Sequence, residues 1–318
     1  MAVKWIIPAL PQDVRRSAHL RSNTIAALHL VTRIALMVSA FVLTVQSLES
    51  RAYAAAVGLF VTLSFLWSFL GWAGLGHEFF HSSVFTSRRV NRIGFLLCSI
   101  VTWNNYGFFD YSHREHHRVT MFEGDPEGRG MIGIPVKSFA WLVLLDLPTA
   151  SRKIGVLARN AFGNFAGRLE HQIRSQPGVQ AGISRGARVT LTANVAIAAG
   201  LGFVWTPVAS LVWLAAPFTF TFVNRILENA QHANMQENVN DFRLNTRTVK
   251  LNSVLGLIYS NMHLHVEHHM FLKVPYYNLP IVHRYLHASD EWMPTPTNGF
   301  RGAMASVVAA SNASRGCE

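Results

Sequence analysis

Eight of the chain's 15 histidines fall in three short sets. They are His77-Glu78-Phe79-Phe80-His81, His113-Arg114-Glu115-His116-His117 and His265-Val266-Glu267-His268-His269. Residues three and four apart share one helix face, so each set can aim its imidazoles at a common point. Neutral imidazole is the commonest metal ligand and suits iron, zinc and copper. A single tetrahedral zinc takes four ligands, so eight clustered histidines imply two metals. The two cysteines, Cys98 and Cys317, cannot supply the roughly four thiolates of an iron–sulfur site. The first set is ambiguous alone, because His77-Glu78-x-x-His81 also spells a zinc-protease motif with Glu78 as general base. That reading leaves both later sets without a role. It also usually needs a later Asp-Gly pair, which the sequence lacks.

Elements of particular length must position these sets. Half of the 318 residues are hydrophobic and 14% are charged, against about 25% charged in an ordinary soluble domain. The apolar residues collect in four runs, at about 26–48, 52–76, 187–205 and 208–227. Each approaches the roughly 20 residues that a bilayer span requires, and short links pair them into two hairpins. Arg33, inside the first run, sits near enough to an end to snorkel. The stretch 93–109 is shorter and is interrupted by Trp103-Asn104-Asn105. If the first two histidine sets share a site, its flanks lie on one side, so it is expected to be re-entrant or interfacial.

The predicted fold is therefore an all-α membrane protein, with four transmembrane helices in two hairpins and a cytoplasmic helical cap over the histidines. Residues 1–25 read as a leader, 26–290 as the membrane domain and 291–318 as a tail, loose over the Ala/Ser-rich 303–314. The formal net charge is +11. Arg88, Arg89, Arg92, Arg114, Arg118, Arg152 and Lys153 are among the cations between the two hairpins. By the positive-inside rule the histidine sets and both termini are expected in the cytoplasm. No nucleic-acid-binding signature accompanies the charge. A metal transporter would need ionisable groups within the spans, and few are present.

The order HxxxH, HxxHH, HxxHH around two hairpins resembles the membrane fatty acid desaturase superfamily. So do Asn261-Met262-His263-Leu264 before the third set, Val274-Pro275 and Leu279-Pro280 after it, and Asp125-Pro126 after the second. The resemblance spans about residues 50–290. It implies a mushroom-like helical fold, two non-haem irons, O2 as co-substrate, a lipid or acyl substrate and an external electron donor. That donor would be ferredoxin-like, or cytochrome b5-like with its reductase. The resemblance also implies a ninth histidine between the second and third sets, read here as His232 in preference to His171, and a water on the metal held by Asn261. His263, on another helix face, is left out.

Glu78, Asp110, Glu115, Glu228 and Glu267 are expected behind the ligands, since a ligating histidine usually gives its other N–H to a carboxylate or carbonyl. No catalytic residue beyond the metal ligands is expected. Desaturation of a fatty acyl chain is the expected reaction. Hydroxylation of a lipid, alkane, terpenoid or small amino compound is the alternative, and the zinc protease a distant one. Trp72, Phe79, Phe80, Trp103, Phe108 and Phe109 are candidate walls of a substrate tunnel.

Overall fold

The computed structural model describes residues 3–128, 139–167, 169–289 and 293–315. A short helix, α1 (Gln12–His19), precedes α2 (Asn23–Glu49). Ser22 starts α2 by accepting the Ile25 N–H on its hydroxyl, which satisfies one of the free donors at a helix start. α2 packs along α3 (Tyr53–Ser68). The expected second span, 52–76, ends early, at Ser68. Residues Phe69–Gly74 turn, and the chain restarts as α4 (Leu75–Phe80). Gly74 is required at that turn, because a Cβ there would lie 2.0 Å from the Phe69 carbonyl oxygen. Arg33 does not snorkel. Its guanidinium turns inward and donates to the carbonyls of Phe69, Leu257 and Ile258.

The stretch 93–109 is two helices. α5 (Arg88–Val101) and α6 (Tyr106–Val119) are separated at Trp103, which has φ 55°, and the Asn105 side chain caps α6 by accepting from Gly107 and Phe108 N–H. α5 buries Asn91, Phe95 and Cys98 and exposes Val90, Ile93 and Leu97, the two-faced pattern of a helix lying along a boundary.

After α7 (Phe139–Val143), α8 (Leu147–Ala161) and α9 (Glu170–Arg174) comes α10 (Pro177–Val204). α10 begins at Pro177, ahead of the expected 187; proline suits a first helical position. α6 lies against α10 at glycines: a Cβ on Gly107 would come 2.3 Å from the Gly182 carbonyl oxygen. The expected fourth span, 208–227, is broken. α11 (Pro207–Ala215) runs into a 3-10 turn over Ala216–Phe218, and α12 (Phe222–Ala230) follows. Pro217 cannot donate to a continuing helix, and Phe220 has φ 48°. Among the described residues, α2 (27 residues) and α10 (28 residues) are long and apolar enough to cross a membrane; Tyr53–Ser68 and Pro207–Phe218 are apolar but shorter.

The remainder comprises α13 (Phe242–Asn245), β1 (Val249–Lys250), α14 (Ser253–Ile258), α15 (His265–Met270), α16 (Leu279–Ser289), β2 (Thr297–Asn298) and α17 (Gly299–Arg315). β1 and β2 pair in parallel. The expected loose tail is mostly α17. Ala303, Val307 and Ala310 recur at helical spacing and are buried in one core cluster with Ile226 and Leu227, and alanine is the best helix former.

Candidate metal centre

Three helices and one turn carry the nine candidate ligands. α4 contributes His77, with His81 at its C-cap; α6 contributes His113, His116 and His117; α15 contributes His265, His268 and His269. His232 follows α12 in a turn. The structure brings all nine together, in two groups. His77, His81, His113, His117 and His268 form the first, and His116, His232, His265 and His269 the second. Within each group one ligand nitrogen per residue lies within 4.8 Å of all the others. All nine are buried except His117, which is partly so.

The hydrogen bonds orient the lone pairs. His113 donates from Nδ1 to Glu127 at 2.7 Å, His116 from Nδ1 to Asp125 at 2.9 Å, and His232 from Nδ1 to the Asn245 carbonyl at 3.0 Å. A neutral imidazole carries one N–H, so Nε2 of each is a bare lone pair. In His113 and His232 that Nε2 faces other Nε2 atoms: His113 meets His117 at 2.9 Å and His81 at 3.2 Å. His265 meets His269 at 3.1 Å and His232 at 3.2 Å. In His77 and His268, Nε2 is buried with no protein partner. Converging, desolvated lone pairs are what a cation satisfies, so the donor set fits two divalent metals.

Burial fixes the protonation. It pushes His77, His232 and His268 from the ordinary 6.5 down to about 3, with neighbouring imidazoles adding to the effect. His81, His113, His117, His265 and His269 are also pushed well down, by burial first. His116 is the exception: burial opposes its protonation, yet the Asp125 and Glu127 carboxylates raise it. In the unfolded chain these imidazoles take protons near 6.5, and in the metal-free fold most do so only far lower. The stability these lowered imidazoles contribute to the metal-free fold is therefore complete above pH 6.5 and is lost as pH falls from there toward 3. We expect the thermal midpoint of metal-free protein to drop across that window and that of metal-loaded protein to resist, because a ligated nitrogen cannot bind a proton. Superimposable curves for the two forms would refute this.

The carboxylates behind the ligands are mostly not the expected ones. Glu78 is in place, with one oxygen 3.4 Å from His77 Nδ1 and 3.5 Å from His268 Nδ1. Asp110 instead faces outward and pairs with Arg92 and Arg114, and Glu115 pairs with Arg118. Glu115 sits on the side of α6 away from His113, His116 and His117. Glu228 pairs with Arg225. Glu267 is buried but turns to the opposite side of α15, toward His283 and His287. Asn261, the residue expected to hold a water on the metal, is buried, and its Nδ2 donates to the Tyr276 carbonyl. His171 is exposed on α9.

Sequence reasoning gave no role to the two acids that hold α6 histidines. Asp125 and Glu127 return to α6 through a bend at Met121, which has φ 62°. Asp125 accepts the Met121 and Glu127 N–H groups besides His116. Burial alone would raise its carboxyl, but these partners hold it down at about 2. Burial pushes the Glu127 carboxyl up to about 7. The Asp-Pro-Glu-Gly run, two acids in a turn directly after a histidine set, was the signal available.

A cavity of about 360 Å³ opens on both groups, reaching His77, His113, His116, His232 and His265. Trp72, Phe108 and Phe109 line one part of it, and Asn104, Asp146, Lys153, Arg225 and Glu228 another. Phe79, Phe80 and Trp103 do not line it. Phe79 packs in the core beside Phe85, Phe80 against His81 and Phe95, and Trp103 near Phe218. Burial lowers the Lys153 ammonium to about 8; it donates to the Thr102 carbonyl and to Asn104.

Comparison with curated proteins gave no match. A family model described as fatty acid desaturase matches residues 52–299, a stretch holding all nine histidines, the cavity and the bend that carries Asp125 and Glu127. The chain belongs to the fatty acid desaturase family.

Proposed function

We propose that the chain is an O2-dependent di-iron oxidoreductase that introduces a C=C bond into a fatty acyl chain, with one iron in each histidine group. The observation that carries this reading is the pair of buried groups, five and four histidines, that open on one cavity. The irons, when bound, supply the oxidising chemistry that removes hydrogen from an unactivated C–H bond, with O2 and outside electrons. The chain's own residues do the rest. Glu78, Asp125, Glu127 and the Asn245 carbonyl orient the imidazoles. Trp72, Phe108 and Phe109 offer an apolar wall to the carbon chain beside them.

The membrane reading extends to four spans. α2 with α3, and α10 with α11, form antiparallel pairs, and their outward faces carry Leu28, Val31, Leu36, Val38, Val195, Phe203, Val204 and Leu211 exposed. Residues of that kind in number call for lipid rather than water. The helices after each pair carry the histidines, and the excess of Arg and Lys there argues for a cytoplasmic site and cytoplasmic termini. An acidic ferredoxin-like or cytochrome b5-like donor would be steered to this basic side, where Arg88 and Arg89 are exposed. Reduction by such a donor should slow several-fold with added salt and with charge reversal at Arg88 and Arg89; indifference to both would exclude that docking mode.

The protease reading is disfavoured. Glu78 lies behind His77 and His268, bonded to Ser83, where it orients ligands and cannot act as a base on a metal-bound water. A second oxidative reading, hydroxylation of a lipid with a polar head, is favoured by one observation. Trp72 Nε1, Thr221 Oγ1 and Arg225 Nε belong to cavity-lining residues and are buried without partners. Such donors call for a ligand that brings oxygen acceptors. Expression in a lipid-producing host, followed by mass spectrometry of lipids and small metabolites, separates the two. Desaturation appears as loss of two hydrogens, hydroxylation as gain of one oxygen atom. No O2-dependent product from the intact chain, with nine-histidine variants indistinguishable from it, would sink both.

A further inference from the structure

A second kind of site lies on the back of α15. Glu267 sits between His265 and His268 in sequence, yet its side chain is fully buried on the other side of the helix. One oxygen accepts from the Thr248 hydroxyl at 2.6 Å. The other faces His283 Nδ1 at 2.5 Å and His287 Nε2 at 3.5 Å. His283 and His287 are four residues apart on α16, with ring centroids 4.2 Å apart. The three ligand atoms lie within 4.8 Å of one another.

A buried carboxylate needs a compensating positive charge. Among the described residues the ion-pair partners of Glu267 are these two imidazoles, with no lysine or arginine. A proton shared with His283 would provide the charge but would leave His287 unexplained. His287 Nε2 is buried, has no hydrogen-bond partner and is aimed at the same oxygen. Two imidazole nitrogens and one carboxylate oxygen around a point are a metal's ligand set. Zinc binds such atoms at about 2.0–2.2 Å and commonly takes water as a fourth ligand. The site is reachable, since the His283 and His287 side chains are 28% and 23% exposed, unlike most of the nine histidines.

We propose that Glu267, His283 and His287 form a third metal site, which takes one zinc-like divalent cation and clamps α16 to the back of the helix that carries the third histidine set. On binding, the proton held between His283 and Glu267 leaves to solvent, and the cation takes its place against the carboxylate. This proposal does not rest on the oxidative reading of the nine histidines.

The test is metal content of the purified full-length chain in detergent, stripped of metal, equilibrated with zinc alone and freed of excess. Wild-type protein is expected to retain one more zinc per chain than His287→Ala and His283→Gln. His268→Ala should keep that extra zinc while losing metal from the nine-histidine groups. Melting curves of the two α16 variants establish that they are folded. If folded His287→Ala retains as much zinc as wild type, the proposal is overturned and the cluster is an ion pair only. If the extra zinc is found but the nine-histidine groups hold no metal, the third site stands and the proposed function fails.

Discussion

Replacing His268 with alanine should cut O2-dependent product formation at least about a hundredfold and lower bound iron from two per chain to one or fewer. The expectation follows from where this side chain lies. It is buried among His77, His81 and His117, with ring centroids 4.6, 4.9 and 5.4 Å away. Neither of its nitrogens has a hydrogen-bond partner, and its contact with Glu78, at 3.5 Å, is a loose one. A nitrogen so placed contributes little to the fold except as a metal ligand. Its removal also takes one of the partners of Glu78, whose carboxyl burial already pushes up to about 7, and leaves it His77 and Ser83. Loss of a residue behind a ligand costs about 10–100-fold in metal affinity or activity, and loss of the ligand itself should exceed that. Iron analysis and product assay on the same preparation decide it. His171→Ala, on exposed α9, should change neither. A His268→Ala protein with two irons and normal turnover would exclude the first group as a metal site.

Asp125→Asn is expected to weaken metal retention about 10–100-fold with little change in helix content. Asp125 has two duties. It takes the His116 Nδ1 proton into a charge-assisted bond at 2.9 and 3.1 Å, and it ties the bend by accepting the Met121 and Glu127 N–H groups at 2.8 and 2.9 Å. That bend sets Glu127 against His113 and Ser112. An amide keeps the shape but loses the charge that makes His116 a strong donor. It can also present N–H where His116 requires an acceptor. The effect should reach both groups, because His116 belongs to the second and His113 to the first. Iron retained against rising chelator is the measurement. A titration superimposable on wild type would show that the carboxylate charge is not needed.

The histidines were readable in sequence because their spacing is a property of one helix: three and four residues apart gives one face, whatever surrounds it. His232 lies in a turn and has no such periodicity; resemblance to a family points to it, and its burial beside His265 is a tertiary fact. Apolar length located α2 and α10 for the same local reason. It misplaced the ends of the second and fourth runs, since composition does not register the turn at Phe69–Gly74 or the break at Pro217. The carboxylates failed most instructively. Glu115 and Glu267 occupy the same place in their sets, yet one meets an arginine in solvent and the other, itself buried, a pair of partly exposed imidazoles. Equivalence in sequence fixes the direction of a side chain relative to its own helix, and says nothing of what the next element brings to meet it. The α17 pattern of Ala303, Val307 and Ala310 was present in the sequence but was masked by a composition that reads as a tail.

α6 and α15 each serve both histidine groups: His113 and His117 with His268 on one side, His116 with His265 and His269 on the other. Each helix is a rigid bar whose two neighbouring faces end in different clusters. With two metals bound as proposed, the first to arrive would pin both bars and spare the second the entropy of ordering them. In a cell short of metal, such chains would divide into full and empty ones, with half-filled chains scarce. An average of one metal per chain would then describe a mixed population, and the empty half, its imidazoles left crowded and unligated, would be the part that quality control removes.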